Sequence, residues 1–97
     1  MRTSEKSKAK IWTVYIIQTE CGKLYTGITL DLERRFQEHQ KKQKGARFFS
    51  LAIPKQIVFV EKYCGRSEAS KREYAIKKMS RQDKLALIET HRQATDL

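Results

Sequence analysis

The stretch "VYIIQTECGKLYTGITLDLERRFQEH", residues 14–39, carries the signals of two strands, a tight turn and a helix. The first predicted strand starts three residues earlier and covers "IWTVYIIQ" (11–18). Its β-branched and aromatic residues predict a strand that is apolar on both faces. The segment "TECGK" provides a turn in which glycine can take positive φ, and "LYTGIT" (24–29) predicts the returning strand. The stretch therefore predicts an antiparallel hairpin followed by a helix.

Two tyrosines occupy this predicted hairpin. A symmetric three-residue loop pairs positions whose numbers sum to an even value, so Tyr15 and Tyr25 are expected on the same face of the sheet. Gly27 shares that face, and we expect it to leave a bare patch where another group can approach the backbone.

The helix after the hairpin is expected to begin near residues 29–31 and to run through "LERRFQEHQKK". Leu32 and Phe36 are four residues apart and form its apolar stripe. Arg35 and His39 are also four apart and lie at the edge of that stripe. We therefore expect the guanidinium and the imidazole to flank the buried face of the helix.

The second half of the chain predicts one more strand and two more helices. After the basic loop "KKQKGARFFS" comes "QIVFVEKY" (56–63), a strand long and β-branched enough for the centre of a sheet. A second helix is predicted over 65–80 with Ser67 as its N-cap, and a third over "RQDKLALIETHR" with Ser80 at the capping-box position. The predicted fold class is α+β: a small three-stranded antiparallel sheet flanked by helices, in the order β-β-α-β-α-α.

A chain of 97 residues is long enough for one domain and one compact site. We expect a polar, basic and flexible leader over 1–10, the domain over 11–90 and a tail over 91–97. The leader lacks a signal-peptide pattern, and no apolar run approaches the roughly 20 residues that span a bilayer. The protein is therefore expected in the cytoplasm.

Charge and cysteine content narrow the classes of partner. Lys and Arg number 21 against 11 Asp and Glu, a formal net charge of +10, which favours a polyanion partner, although a solvated basic surface would give the same balance. Cys21 and Cys64 form no close pair with His39 or His91 of the kind that structural zinc sites use. The two thiols are interpreted as reduced bystanders.

One carboxylate falls on the apolar face of the second predicted helix. Ala69, Ile76 and Met79 define that face, and Glu73 lies four residues after the first and three before the second. Because burying an unpaired charge is costly, Glu73 is expected beside a cation, which can be a metal ion, an arginine or a lysine. A simple salt bridge with Arg35 is the structural alternative.

The segments "TVYII", "LYTGIT", "LERRFQEH" and "KREYAIKK" together resemble the GIY-YIG nuclease superfamily, in particular its small bacterial stand-alone members, over about residues 11–88. The resemblance makes Gly27 the closing glycine of the second motif. It implies a catalytic set made of the two hairpin tyrosines, the helix arginine and histidine, and the later glutamate: Tyr15, Tyr25, Arg35, His39 and Glu73.

The chain departs from the family pattern at three points. It has Thr13-Val14-Tyr15 where the family name requires Gly-Ile-Tyr, and Thr26 where the name has Ile. Many members also place an asparagine near the site, and this chain contains no Asn. The first two changes keep the tyrosines and suit a strand, whereas the third bears on activity more than on fold.

The resemblance implies metal-dependent hydrolysis of phosphodiester bonds in DNA. Glu73 would hold one Mg²⁺ or Mn²⁺ that keeps most of its water ligands. Arg35 would donate two parallel hydrogen bonds to phosphate oxygens. Tyr15, Tyr25 or His39 would orient the attacking water or take its proton, and the sequence leaves these three as open alternatives.

The basic residues of the loop 41–47 and of the second helix are expected to contact the nucleic-acid backbone. They are Lys41, Lys42, Lys44, Arg47, Lys71, Arg72 and Lys77. Since no recognition module is attached, structure-selective or partner-directed cleavage is expected, in DNA repair or recombination. The alternatives are a non-catalytic module that binds DNA or RNA, and a structural or protein-interaction role.

Overall fold

Three strands and three helices form the described part of this computed structural model, residues 10–45 and 54–95. Side chains are described in these ranges except at 42–45 and 95. The elements are β1 (Trp12–Thr19), β2 (Leu24–Thr29), α1 (Leu32–Gly45), β3 (Pro54–Tyr63), α2 (Arg66–Lys77) and α3 (Arg81–Thr95). The predicted α+β class and the order β-β-α-β-α-α are confirmed.

The sheet is antiparallel throughout, with the strand order β2-β1-β3. β1 is therefore the central strand, and five of its residues in succession, 13–17, are buried. The expectation that the third strand lies at the centre was wrong, because β3 pairs with β1 alone among the described strands. Composition does not determine which strand pairs on both edges, and in β3 only Pro54 and Phe59 are buried.

The hairpin turn places β1 and β2 in register. Gly22 has φ 90°, as its position in the turn predicted, and its amide donates to the Thr19 carbonyl over 2.9 Å. The resulting register pairs Tyr15 with Gly27 and Ile17 with Tyr25. Both pairs have an even sum, so the predicted common face of the two tyrosines is confirmed.

The two faces of β1 bury different groups. Val14 and Ile16 join Phe59, Ala69 and Ile76 in one apolar cluster, against which parts of α2 and α3 pack. Because side chains alternate along a strand, the odd-numbered residues of β1 point to the opposite face, where α1 lies. The apolar core is thus on one side of the sheet, and the tyrosine face is left for a polar site.

The helix starts differ partly from expectation. Ser80 Oγ accepts a hydrogen bond from the Asp83 amide over 3.1 Å, which confirms its capping role for α3. The Ser67 prediction was wrong, because α2 begins at Arg66 and Gly65 is its N-cap, without a side-chain hydrogen bond. The backbone is extended at Gly65 and helical from Arg66 onward, so Ser67 already lies inside the first turn.

The helix ends lie further along the chain than the pattern predicted. α1 continues to Gly45, so the first residues of the predicted basic loop are helical. α3 continues to Thr95, into the segment predicted as a tail. The leader up to residue 9, the side chains of Lys42 and Lys44, and Arg47 lie outside what the structure describes. The division into leader, domain and tail stays a prediction.

Candidate active site

The two hairpin tyrosines form the base of the candidate site. The rings of Tyr15 and Tyr25 have their centroids 6.4 Å apart, as expected for side chains on one face of adjacent strands. Their exposure differs sharply: Tyr15 is 1% exposed and Tyr25 is 45% exposed. One phenol is therefore held inside the protein, and the other is presented to solvent.

Gly27 makes room for the buried phenol. A Cβ placed on Gly27 would lie 2.5 Å from Tyr15 Oη and 2.8 Å from Tyr15 Cζ. The bare patch expected at this glycine is thus occupied by the tyrosine of the facing strand, not by an outside group. The pairing of Tyr15 with Gly27 fixes where the phenol hydroxyl lies.

The first helix brings two more polar groups to this face. Asp31 Oδ1 accepts a hydrogen bond from the Arg34 amide over 3.2 Å, which fixes the start of α1 as an N-cap. His39 then lies with its Nε2 3.4 Å from Tyr15 Oη, and its ring centroid is 4.9 Å from that of Tyr25. The imidazole therefore contacts both phenols.

Arg35 lies one turn before the histidine and interacts with the buried phenol. A hydrogen bond from its guanidinium to Tyr15 raises the pKa of Arg35, so its positive charge is secure. Burial raises the pKa of Tyr15 above the usual 10.0, and the hydrogen bond from Arg35 offsets this only in part. Tyr15 is consequently a neutral hydroxyl at physiological pH.

Glu73 on α2 is the carboxylate that was expected to complete the site. Its side chain is 22% exposed, and Lys77 Nζ lies 3.1 Å from its Oε2. The expected cation is thus the lysine one turn later, and the structure shows no ion pair between Glu73 and Arg35. The carboxylate charge contributes to the raised pKa of Tyr15, which places it within electrostatic reach of the phenol.

The arrangement combines three kinds of chemical group. Arg35 is a cationic donor, Tyr25 and His39 supply a phenol and an imidazole that contact each other, and Glu73 on α2 supplies a half-buried carboxylate. Two pockets of about 360 Å³ border it, one lined by Arg35 and the other by Tyr25 and His39. Groups of this kind suit the binding of a phosphate and the movement of a proton.

Some of the basic residues expected to contact nucleic acid are exposed, and others are held in ion pairs. Lys41 and Lys71 are exposed. Lys77 pairs with Glu73, and Arg72 donates to both oxygens of Glu61, with Nε 2.9 Å from Oε1 and Nη2 3.2 Å from Oε2. The Arg72 guanidinium therefore ties α2 to β3.

Glu38, which contacts Arg34 and Arg35 on the same helix, was not predicted as a site residue. The spacing of these residues, three and four apart, was the signal that could have identified the contacts.

The sequence over residues 11–86 matches the family described as the GIY-YIG catalytic domain, and the fold and the position of the two tyrosines agree with that match. The chain therefore belongs to the GIY-YIG family, as the resemblance in its motifs predicted.

Its relatives include several bacterial proteins named UPF0213. The protein DP2720 of Desulfotalea psychrophila is 49% identical over 77 residues, which cover 79% of this chain and 70% of the relative. The protein SSP2268 of Staphylococcus saprophyticus is 45% identical over 75 residues, or 77% of this chain and 90% of the relative. The chain is also similar to the solution NMR structure of the UPF0213 protein BH0048 from Bacillus halodurans, with a TM-score of 0.54, 32% identity, and coverage of 82% of this chain and 84% of that one. Among the described residues, no helix combines the length and apolar character needed to cross a membrane.

Proposed function

We propose that the protein is a divalent-metal-dependent endonuclease that hydrolyses phosphodiester bonds in DNA. The observation that carries the proposal is the convergence of Tyr15, Tyr25, Arg35 and His39 on one face, within electrostatic reach of Glu73. Membership of the GIY-YIG family adds support, since its matched region includes all five residues.

Arg35 is the phosphate ligand of the proposed site. Its planar guanidinium can donate two parallel hydrogen bonds to phosphate oxygens, a geometry that lysine cannot reproduce. The raised pKa keeps it charged at any pH where DNA is stable. Its side chain is 37% exposed, so a substrate phosphate can reach it.

The three remaining groups, Tyr15, Tyr25 and His39, have different roles. Because burial raises the pKa of Tyr15, this phenol keeps its proton and acts as a hydrogen-bond donor that positions its neighbours. Tyr25 and His39 then remain as the groups that orient the water and accept its proton.

Glu73 is the proposed metal ligand. No group of three or more His, Cys, Asp and Glu side chains that could hold a metal occurs in residues 10–41 and 54–94, so the carboxylate would act as a single protein ligand. A lone carboxylate fits Mg²⁺ or Mn²⁺, which can keep their remaining ligands as water, and does not fit zinc. The half-exposed Lys77 can release the carboxylate at modest cost. When bound, the ion would supply positive charge beside the scissile phosphate and the leaving oxygen.

The substrate is proposed to be DNA of irregular shape, such as branched or flapped duplexes encountered in repair or recombination. Lys41 and Lys71 are exposed cations that can contact the backbone without reading sequence. Selection by DNA shape or by a partner protein would then determine where the protein cuts.

A non-catalytic nucleic-acid-binding module is the second candidate. The observation that favours it is the engagement of Glu73 by Lys77, which leaves the carboxylate neutralised without a metal. In that case salt-sensitive binding would persist after metal chelation and after Glu73→Gln, and no cleavage would occur.

The experiment that separates the two candidates is a cleavage and binding assay on labelled duplex, nicked, flapped and branched DNA, with Mg²⁺, with Mn²⁺ and with a chelator. The endonuclease proposal expects cleavage that requires the metal and that Arg35→Ala abolishes. If all four DNA substrates stay intact while the protein still binds them, the protein is the binding module instead.

A further inference from the structure

Two neighbouring arginines of α1 converge on one carboxylate. Arg34 Nε lies 3.3 Å from Glu38 Oε2, and Arg35 Nη1 lies 3.3 Å from Glu38 Oε1. Each oxygen of the carboxylate thus receives one guanidinium. A phosphodiester presents two non-bridging oxygens in a similar way, so the carboxylate occupies a position in which a phosphate would meet the same two donors.

This triad lies at the surface, in a pocket. The three side chains line a cavity of about 360 Å³ together with Trp12 and Leu30. Glu38 is 43% exposed and Arg34 is 76% exposed, so both ion pairs are in contact with water. Exposed ion pairs of this kind contribute only about 0–1 kcal/mol each, so an incoming anion can replace the carboxylate.

Asp31 is the other acidic residue that lines the pocket. Its Oδ1 accepts the Arg34 amide, so this carboxylate is tied to the start of the helix. Glu38 is therefore the acidic group whose position relative to the two guanidinium groups resembles that of a bound phosphate. Arg35 lines this pocket and also interacts with Tyr15, so the pocket and the proposed active site share this residue.

We propose that Arg34, Arg35 and Glu38 form a phosphate-exchange clamp, in which Glu38 holds both guanidinium groups in the free protein and a substrate phosphodiester replaces it on binding. The clamp deepens the proposed function and rests on it, because it takes Arg35 as the phosphate ligand. Arg34 becomes a second phosphate ligand, and Glu38 becomes the residue that sets the strength of phosphate binding while keeping Arg35 oriented.

The test measures binding of a thymidine dinucleotide, which contains one phosphodiester, by calorimetry without divalent metal. Glu38→Gln is expected to tighten binding about three- to tenfold, because the phosphate no longer has to displace a charged competitor. Arg34→Ala is expected to weaken binding by a similar factor. Trp12 is the only tryptophan of the chain and lines the pocket, so its fluorescence reports occupancy at the clamp itself.

Glu33→Gln is the matched control, since Glu33 is an exposed carboxylate in the first turn of the same helix and does not line the pocket. The clamp is refuted if Glu38→Gln leaves binding unchanged or weakens it, if the control tightens binding equally, or if neither the parent nor Glu38→Gln binds the dinucleotide. The assay contains no metal and requires no cleavage. A protein that binds as predicted but never cuts DNA would therefore refute the nuclease proposal and leave the clamp intact.

Discussion

Replacing Gly27 by alanine is expected to destabilise the fold, because the tyrosine of the facing strand fills the space that a Cβ needs. The added carbon would lie 2.5 Å from Tyr15 Oη and 2.8 Å from Cζ, well inside van der Waals contact. The ring is 1% exposed, so it has little room to move away. Overpacking of this kind costs about 1–3 kcal/mol.

The net effect is smaller than the cost of the clash. Alanine also restricts the unfolded chain, which stabilises the fold by about 0.4–1 kcal/mol. At the middle of these two ranges, the free energy of unfolding should therefore fall by about 1.3 kcal/mol for Gly27→Ala. The thermal midpoint should fall by about 4–8 °C for each kcal/mol in a domain of this size. Urea and thermal unfolding followed by circular dichroism measure both quantities.

Two further variants make the test specific. A Cβ on Gly65 would meet no heavy atom within 4 Å, and its φ of −133° suits alanine, so Gly65→Ala should change stability by less than about 0.5 kcal/mol. In the Tyr15→Phe background Gly27→Ala should cost less, because the nearest clashing atom is gone. Equal stability of the Gly27→Ala and Gly65→Ala variants, or an undiminished cost in the Tyr15→Phe background, would refute the placement of the phenol over Gly27.

Two other predictions concern pH and a salt bridge. Burial raises the pKa of Tyr15 in the folded protein, so its contribution to stability is fully present below the unfolded pKa of 10.0 and is lost as pH rises from there through the folded pKa. As pH rises into the alkaline range, the unfolding free energy of Tyr15→Phe should therefore fall less steeply than that of the parent. Parallel curves would contradict the burial of Tyr15. Burial also raises the pKa of Tyr63, and its contribution to the pH dependence is the same in both proteins. Glu61→Gln should lower stability by about 1 kcal/mol, because the amide removes the charge and one of the two oxygens that accept from the half-buried Arg72. The same change at the exposed Glu89 should cost less than about 0.5 kcal/mol in chemical denaturation. Equal effects at both glutamates would show that the pair to Arg72 is no stronger than a surface contact.

The sequence predicted the hairpin and its facing tyrosines because both depend on local rules. Alternation along a strand and the parity of the loop decide which side chains share a face, and the observed pairing of Tyr15 with Gly27 follows both. The helical spacing of Arg35 and His39 similarly predicted that they lie on one edge of α1. These predictions needed no knowledge of how distant segments pack.

The predictions that were wrong or incomplete concern features that depend on tertiary contacts. The length and β-branched composition of β3 indicated a central strand, yet pairing along the sheet left it next to β1 alone within the described strands. The helical pattern identified Glu73 as a carboxylate in need of a cation, but it could not choose Lys77 over Arg35, since both are chemically suitable. The apolar character of the first strand predicted burial on both of its faces, but the raised pKa of Tyr15 depends on how the site packs around its phenol, which the local sequence does not determine.

The central claim, that these residues form one metal-assisted site for phosphodiester hydrolysis, is tested most directly by the rate of Mg²⁺-dependent cleavage of a labelled branched duplex. Glu68, an acidic residue in the first turn of α2, supplies the matched control for Glu73 on the same helix. The parent and Glu68→Gln are expected to cleave at the same rate, and Glu73→Gln at least roughly a hundredfold more slowly. Cleavage by Glu73→Gln at the parent rate, or an intact substrate with the parent protein in both Mg²⁺ and Mn²⁺, would contradict the claim.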